Sequence, residues 1–190
     1  MTKHLALSAL LVAGLAGAAR ADKVAPPEAI KPKPPAAKPV TVKPITVKLA
    51  DAKGKSVGTA KLEADAAGLK ITLAVKGLPA GDHAIHLHET AKCDGPDFKS
   101  AGGHLNPDHK KHGHDNPEGA HAGDLPNFTA DAKGASTQVI TAAGVTLDDG
   151  DHGVLAGGGT ALVIHAKADD GKTDPAGAAG DRIACGVIKK

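Results

Sequence analysis

The chain has 190 residues, with 23 basic and 21 acidic side chains, 11 histidines and only two aromatic residues, both phenylalanine. The formal charge of +2 disappears without residues 1–21, which hold two basic groups and no acid. This balance excludes the strong positive field on which nucleic-acid binding depends, so we expect no nucleic-acid partner. Without Trp or Tyr, the core must be built from Val, Ile, Leu and Ala.

The N-terminal segment has the pattern of a secretory signal peptide. A basic start at Lys3 precedes an apolar run from Leu5 to Ala18, and residues 19–21 fit a small-x-small cleavage site. A membrane anchor is the alternative, but the run is too short to span a bilayer comfortably. We therefore expect residues 1–21 to be a cleaved signal, with no membrane span and a periplasmic or otherwise exported protein.

Residues 22–44 are rich in Pro and Lys and offer little to bury, which predicts an extended, disordered linker. The linker has a charge of +3, whereas the part from residue 45 onward has 16 basic and 19 acidic residues, a charge of −3. A solvated spacer is favoured over a tail that adheres to an anionic envelope surface. We place one domain at residues 45–190.

From residue 45 the chain shows short alternating segments typical of antiparallel strands. Turns rich in Gly, Asp and Lys separate them, and no long amphipathic helix is predicted. This pattern favours an all-β sandwich or barrel. The predicted strands are 45–49, 57–63, 69–75, 83–89, 138–142, 161–166 and 182–188.

Histidines concentrate in the stretch 81–128, which holds eight of the eleven. Most of this stretch lacks strand or helix signals, and so long a loop in a compact domain is usually functional. Alternate side chains of a strand share a face, so His86 and His88 can bind one metal ion together. His83 has the opposite parity and is expected to be a hydrogen-bonded core histidine.

The histidines and one aspartate provide ligands for two metal ions. Three imidazoles and one carboxylate suit a closed tetrahedral zinc site, whereas a set of imidazoles alone favours copper. If His104 gives one ring nitrogen to each ion, both sites are complete. The predicted copper set is His86, His88, His104 and His165, and the predicted zinc set is His104, His112, His121 and Asp124.

Three histidines and both cysteines remain. His109, His114 and His152 are expected to be solvated, although the first two flank predicted zinc ligands and could compete for metal. Cys93 and Cys185 in an exported protein predict one disulfide. The chain-entropy model gives a loop of this length about 4–5 kcal/mol of stabilisation, and the observed value is usually less.

Together these residues resemble the copper/zinc superoxide dismutase family, in particular its bacterial periplasmic branch. The resemblance covers the chain from about residue 41 to the C-terminus. The matching segments are HLHE at 86–89, SAGGHLNP at 100–107, KHG at 111–113, HAGDLPN at 121–127, VIHAKADD at 163–170, TDPAG at 173–177 and RIACGVI at 182–188.

The resemblance implies an eight-stranded Greek-key β-barrel with two long functional loops. It implies an enzyme that converts superoxide, its small-molecule partner, into O2 and H2O2 by Cu(II)/Cu(I) cycling, with zinc as the second metal. The two ligand sets would be those above, with His104 as the bridge and a carrier of protons. Relatives occur as monomers and dimers, so a homodimer is compatible with the sequence.

The resemblance also assigns residues around the metals. Arg182, the only arginine outside the predicted signal, would lie beside the copper and attract the anionic substrate. Asp169 would tie a copper-ligand histidine to a zinc-ligand histidine. The disulfide Cys93–Cys185 would pin the metal loop to the last strand.

Some positions depart from the family pattern. Ala84-Ile85 replaces the usual Gly-Phe, Gly171 stands where bacterial members often have an aromatic residue, and 153–159 resembles an insertion. None of these changes removes a ligand, so we expect them to alter local geometry and rate.

The acidic charge of the folded part poses a problem for an anionic substrate, because overall attraction is absent and the field must be local. Lysines of the loops are the candidates to widen the field around Arg182. These candidates are Lys99, Lys110, Lys111, Lys167 and Lys172.

A periplasmic copper or zinc buffer with the same fold and little turnover would need the same ligands and is the main alternative. The complete zinc set disfavours a copper-only variant, and a purely structural sandwich leaves the convergent histidines unexplained. A protease or zinc hydrolase is excluded, because the chain has neither a nucleophile motif nor a positioned Glu base.

Overall fold

Nine β-strands, all paired antiparallel, make up the fold in the computed structural model, which describes residues 42–190. The predicted signal peptide and all of the predicted linker up to residue 41 lie outside the described residues. Within the described part, no helix has the length and apolar character needed to cross a membrane. The strands are β1 (Ile45–Asp51), β2 (Ser56–Asp65), β3 (Gly68–Val75), β4 (Gly81–His83), β5 (Ile85–His88), β6 (Phe128–Ala130), β7 (Ser136–Ala143), β8 (Thr160–His165) and β9 (Arg182–Ile188).

Seven strands form one sheet in the order β5-β8-β9-β1-β2-β3-β7, and β4 pairs with β6 in a second, two-stranded sheet. The last strand, β9, returns to lie beside the first, β1, in the middle of this sheet, as a long connection does in a Greek key. The prediction of an all-β Greek-key fold is confirmed.

The predicted strand 83–89 is divided at Ala84, which explains one additional strand. β4 pairs with β6, whereas β5 pairs with β8. The main chain of Ala84 remains paired: its N–H donates to Lys167, and its carbonyl accepts from the N–H of His165. The other strand that we did not predict, β6, has only three residues and no room to show an alternating pattern.

The core is aliphatic, as the composition requires, and Phe128 is its only large aromatic side chain. Strands β5 and β8 are buried on both faces, because one face packs on this core and the other lies under the loop between β5 and β6. Phe98 and Ala101 of that loop pack against Ala161 and Val163 of β8. Burial of a phenylalanine side chain contributes roughly 1.5–3 kcal/mol, so this contact anchors the loop.

The predicted disulfide is present. Cys93 lies in the loop between β5 and β6, Cys185 lies in β9, and their Cα atoms are 5.7 Å apart. The disulfide and the Phe98 contact therefore attach the loop between β5 and β6 to the sheet at two points.

Candidate metal centre

Four histidines converge on one point beside the end of the large sheet. His86 and His88 project from the same face of β5, His165 ends β8, and His104 comes from the loop, paired by its backbone with His88. All four are buried. One ring nitrogen of each lies within 4.8 Å of a ring nitrogen from every other.

The four converging nitrogens have no hydrogen-bond partner among residues 42–190. Leaving a buried polar atom unpaired costs about 1–3 kcal/mol, so four in one place require an explanation. A cation bound by all four supplies it, and imidazole nitrogen is a copper ligand. The unpaired atoms are His86 Nδ1, His88 Nε2, His104 Nε2 and His165 Nε2.

The opposite nitrogens of these rings are held by hydrogen bonds, which fixes the tautomers. His88 Nδ1–H donates to the Gly102 carbonyl at 3.0 Å, and His165 Nδ1–H donates to the Gly180 carbonyl at 3.3 Å. His86 uses Nε2–H to donate to Asp169 at 2.8 Å. Each ring therefore directs a lone pair at the common point, the form that binds a metal.

Burial also keeps these rings neutral. It lowers the pKa of His88 to about 2, and it lowers the pKa values of His104 and His165 to about 4. The pKa of His86 is lowered by burial too. At neutral pH none of the four carries a proton that a metal must displace.

A second group surrounds Oδ1 of Asp124. This oxygen lies 2.7 Å from His104 Nδ1, 3.0 Å from His112 Nδ1 and 3.2 Å from His121 Nδ1. Tetrahedral zinc with ligand bonds of about 2.0–2.1 Å places its ligand atoms about 3.3 Å from one another. The separation between His104 Nδ1 and His121 Nδ1 is 3.3 Å. The spacing and the donor types fit zinc.

Backbone hydrogen bonds hold the Asp124 carboxylate in this position. Its other oxygen, Oδ2, accepts the backbone N–H groups of Gly113 and His121 at 2.9 and 3.0 Å. Burial on its own raises the pKa of Asp124, but the hydrogen bonds from His104 and Gly113 outweigh it and hold the pKa below its ordinary value. Asp124 is therefore an anion among three imidazoles.

His104 belongs to both groups. Its Nδ1 faces Asp124 and its Nε2 is one of the four unpaired nitrogens. The structure thus brings both predicted ligand sets together around one shared ring, as the sequence suggested.

Asp169 connects the two groups a second time. Its Oδ2 accepts from His86 Nε2 at 2.8 Å, and its Oδ1 accepts from His112 Nε2 at 3.0 Å. Burial raises the pKa of Asp169, but these two hydrogen bonds and the Gly171 N–H lower it further than burial raises it. Gly177 has a positive φ of 64° and packs against this carboxylate so closely that a Cβ would overlap Oδ1.

Arg182 is half-buried beside the first group. Its Nη1 donates to the Phe98 carbonyl and its Nη2 donates to the Gly102 carbonyl, both at 2.8 Å. The Gly102 carbonyl also accepts from His88, so the guanidinium lies one carbonyl oxygen away from a predicted copper ligand. Arg182 lines a cleft of about 760 Å³, whose other charged residues are Asp51, Lys53, Asp97, Lys99 and Asp181.

The other four histidines of residues 42–190 lie outside both groups. His83 is buried and lies 2.8 Å from each of two carbonyls, those of Pro79 and His165, as expected for a core histidine. His109 is exposed, and His152 pairs with Asp108 at 3.2 Å. His114 is exposed but donates to the Asp124 carbonyl at 3.0 Å. Its ring is therefore held by the protein, whereas the sequence predicted a fully solvated side chain.

The sequence did not predict the roles of two side chains that contact these groups. Asn127 binds the backbone of Asp169, and Asp174 accepts the backbone N–H of His112 at 2.6 Å. Both lie in segments that match the family, DLPN and TDPAG, but nothing in the spacing indicates their partners. Gly171, where an aromatic is usual, has a φ of 71°, which favours glycine.

The model of the copper/zinc superoxide dismutase (SODC) family matches residues 56–188. Superoxide dismutase [Cu-Zn] 1 of Aquifex aeolicus is 50% identical over 143 residues, covering 74% of this chain and 85% of its own. The superoxide dismutase-like protein YojM of Bacillus subtilis is 37% identical over 191 residues, covering 99% of this chain and 96% of its own.

Solved structures agree. A SOD-like protein from Bacillus subtilis superposes with a TM-score of 0.73 at 40% identity, covering 75% of this chain and 97% of that one. The Cu/Zn superoxide dismutase from Brucella abortus superposes with a TM-score of 0.63 at 31% identity, covering 77% and 100%. Copper and zinc, the metals of the family name, are those that the two groups fit. The chain belongs to the copper/zinc superoxide dismutase family.

Proposed function

We propose that this protein is a superoxide dismutase of the cell envelope, which converts two superoxide anions and two protons into O2 and H2O2. The observation that carries the proposal is the convergence of four unpaired imidazole nitrogens, one of them on a ring shared with a second, carboxylate-containing group. A β-sandwich that bound no metal would leave these four buried nitrogens unpaired, at a cost in stability.

The residues that would hold the metals are the two predicted sets, with His104 in both. Copper in the imidazole set would supply a centre that accepts and returns one electron, and zinc in the set around Asp124 would supply a fixed positive charge. Asp169 keeps one ring of each set in the tautomer that directs Nδ1 at its metal.

His104 is the proposed carrier of a proton. With Nδ1 held on the Asp124 side, the ring cannot turn away, and Nε2 stays directed at the point where the substrate would react. Peroxide needs protons that superoxide does not bring. This buried nitrogen has no hydrogen-bond partner in the described chain and could deliver one of them whenever it is not bound to copper.

Arg182 is the proposed guide for the substrate. Its two hydrogen bonds to carbonyls hold the guanidinium in place, and part of the group lines an open cleft. A fixed positive charge there attracts a small anion although the domain as a whole is acidic.

Export is part of the proposal. The disulfide Cys93–Cys185 supports an oxidising compartment, because structural disulfides are rare where thiols are kept reduced. The predicted signal at 1–21 supports the same compartment.

A copper or zinc buffer is the second candidate, favoured by the likeness to YojM, whose name is only superoxide dismutase-like. Pulse radiolysis separates the two. Protein loaded with copper and zinc is expected to consume superoxide much faster than the same protein loaded with zinc alone. Equal rates in the two samples would refute the proposed enzyme and favour the buffer.

A further inference from the structure

Asn127 makes a pair of hydrogen bonds with the backbone of one residue, Asp169. The backbone N–H of Asp169 donates to Asn127 Oδ1 at 2.9 Å, and Asn127 Nδ2–H donates to the Asp169 carbonyl at 2.9 Å. This is the exchange that two paired residues of neighbouring antiparallel strands make, achieved here by a side chain. It fixes both the position and the orientation of the Asp169 backbone.

The residue held in this way is the one that touches both metal groups. Asp169 contacts His86 of the copper set and His112 of the zinc set with its two carboxylate oxygens. Asn127 itself follows Asp124, a predicted zinc ligand, by three residues. The pair therefore joins the segment that carries a zinc ligand to the loop that begins with the bridging carboxylate.

Asn127 is well placed to act as a fixed support. Asn127 and Pro126 are exposed, but Leu125 before them and Phe128 after them are buried in the core, so the backbone of this short segment is held at both ends. Gly177 closes the space on the other side of the Asp169 carboxylate. Small movements of the Asp169 backbone would therefore displace both oxygens from their imidazole partners.

We propose that Asn127 is a positioning residue for both metal sites, acting through Asp169. The proposal rests on the metal binding that the proposed function requires, but not on turnover. Loss of partners that orient metal ligands typically costs 10–100-fold in metal affinity. The fold itself should lose little, because the freed backbone groups of Asp169 are near the surface and can bind water.

The test is the affinity of the full protein for Zn2+ and for Cu2+, measured by competition with chelators, in the Asn127→Ala variant. We expect both affinities to fall by about 10–100-fold. Asp131→Ala is the control, because Asp131 Oδ1 also accepts two hydrogen bonds from the backbone, those of Lys133 and Ala135 at 2.8 and 2.9 Å, in the turn between β6 and β7 outside both metal groups. It should bind both metals as wild type does.

Wild-type affinity for both metals in Asn127→Ala would overturn the proposal. So would an equal loss in Asp131→Ala, which would indicate a general loss of stability. Urea unfolding of the metal-free variants checks the fold: a merely structural role would lower stability without metal as much as with it. If the alanine variant does not fold, Asn127→Asp, which keeps the acceptor but not the donor, is measured under the same criteria.

These outcomes are independent of catalysis. If the wild-type protein binds both metals but does not consume superoxide, the proposed function fails and the affinity comparison still decides the role of Asn127.

Discussion

At the scale of the residue, the centre depends on which nitrogen each imidazole leaves free. His88 and His165 donate from Nδ1 to backbone carbonyls, whereas His86 donates from Nε2 to Asp169. A neutral imidazole has one N–H, so each donation determines the nitrogen that can bind a metal. The protein therefore prepares the site before any ion arrives.

The same burial makes the metal-free protein sensitive to acid. The pKa of His88 is lowered to about 2 and those of His104 and His165 to about 4, so these rings stay neutral in the folded chain but take up protons near pH 6.5 when unfolded. The unfolded state then binds more protons, and stability must fall as the pH drops below about 6.5.

We expect the free energy of unfolding of the metal-free protein to decrease between about pH 6.5 and pH 4, by up to about 1.4 kcal/mol per pH unit for each such histidine. Asp124 and Asp169, whose pKa values are depressed, add a further loss below about pH 4. Urea titrations at about pH 7 and about pH 4.5 measure the effect. An unchanged midpoint would show that the rings are not buried as neutral groups.

Arg182 gives a second prediction at this scale. Arg182→Ala should lower the rate of superoxide consumption roughly tenfold or more, because it removes the fixed charge of the cleft, and should leave copper and zinc content unchanged. Steady-state assays and metal analysis of the same samples provide the comparison.

Arg182→Lys is the control for that prediction. It keeps a positive charge but loses the planar guanidinium whose two nitrogens donate to the Phe98 and Gly102 carbonyls. It should retain more activity than the alanine variant. Loss of copper from the Arg182→Ala variant would contradict this prediction and indicate that Arg182 stabilises the copper site.

At the scale of the element, two loops are held against two buried strands. The loop between β5 and β6 is anchored to β9 by the Cys93–Cys185 disulfide and to β8 by Phe98. The loop between β8 and β9 is tied to it by Asn127 and Asp174. Residues far apart in the chain are brought into one centre because both loops are fixed at several points.

Replacement of both cysteines by serine should lower the free energy of unfolding of the metal-free protein by about 2–4 kcal/mol. The disulfide joins residues 92 apart in sequence, so its loss frees a long loop in the unfolded chain. Urea titrations of the variant and of the oxidised wild-type protein measure the difference. Wild-type protein treated with a thiol reductant should resemble the variant. Stability equal to that of the oxidised wild type would contradict this role.

Part of the fold and of the metal centre could be predicted from the sequence. The shared face of His86 and His88 follows from strand periodicity alone, and the donor types separate a zinc set from a copper set. The break at Ala84 and the three-residue β6 could not be predicted, since neither has a pattern long enough to read. The Asn127–Asp169 pair spans 42 residues, and only the folded chain shows it.

At the scale of the whole molecule, an acidic domain must attract an anion. The part from residue 45 onward has a charge of −3, and the cleft at Arg182 is lined by Lys53 and Lys99 but also by three acids, Asp51, Asp97 and Asp181. Of the five candidate lysines, Lys99 lines this cleft, and its ammonium lies 2.8 Å from Asp97. Asp97 therefore offsets part of the local positive field.

We expect Asp97→Asn to raise the rate of superoxide consumption roughly twofold at low salt, and Lys99→Glu to lower it, with both effects shrinking as the Debye length falls from about 30 Å to about 8 Å. Lys61→Glu is the control, because Lys61 pairs with Glu63 on β2, outside this cleft. Equal effects of Lys61→Glu and Lys99→Glu would mean that net charge, and not the cleft, governs the rate.

The central claim is that one imidazole, that of His104, belongs to two metal sites at once. Anomalous X-ray scattering from crystals of the protein loaded with copper and zinc tests it most directly. We predict a copper peak on the Nε2 side of His104 and a zinc peak on the Nδ1 side. A single peak, or two peaks of which one lies away from this ring, would contradict the account.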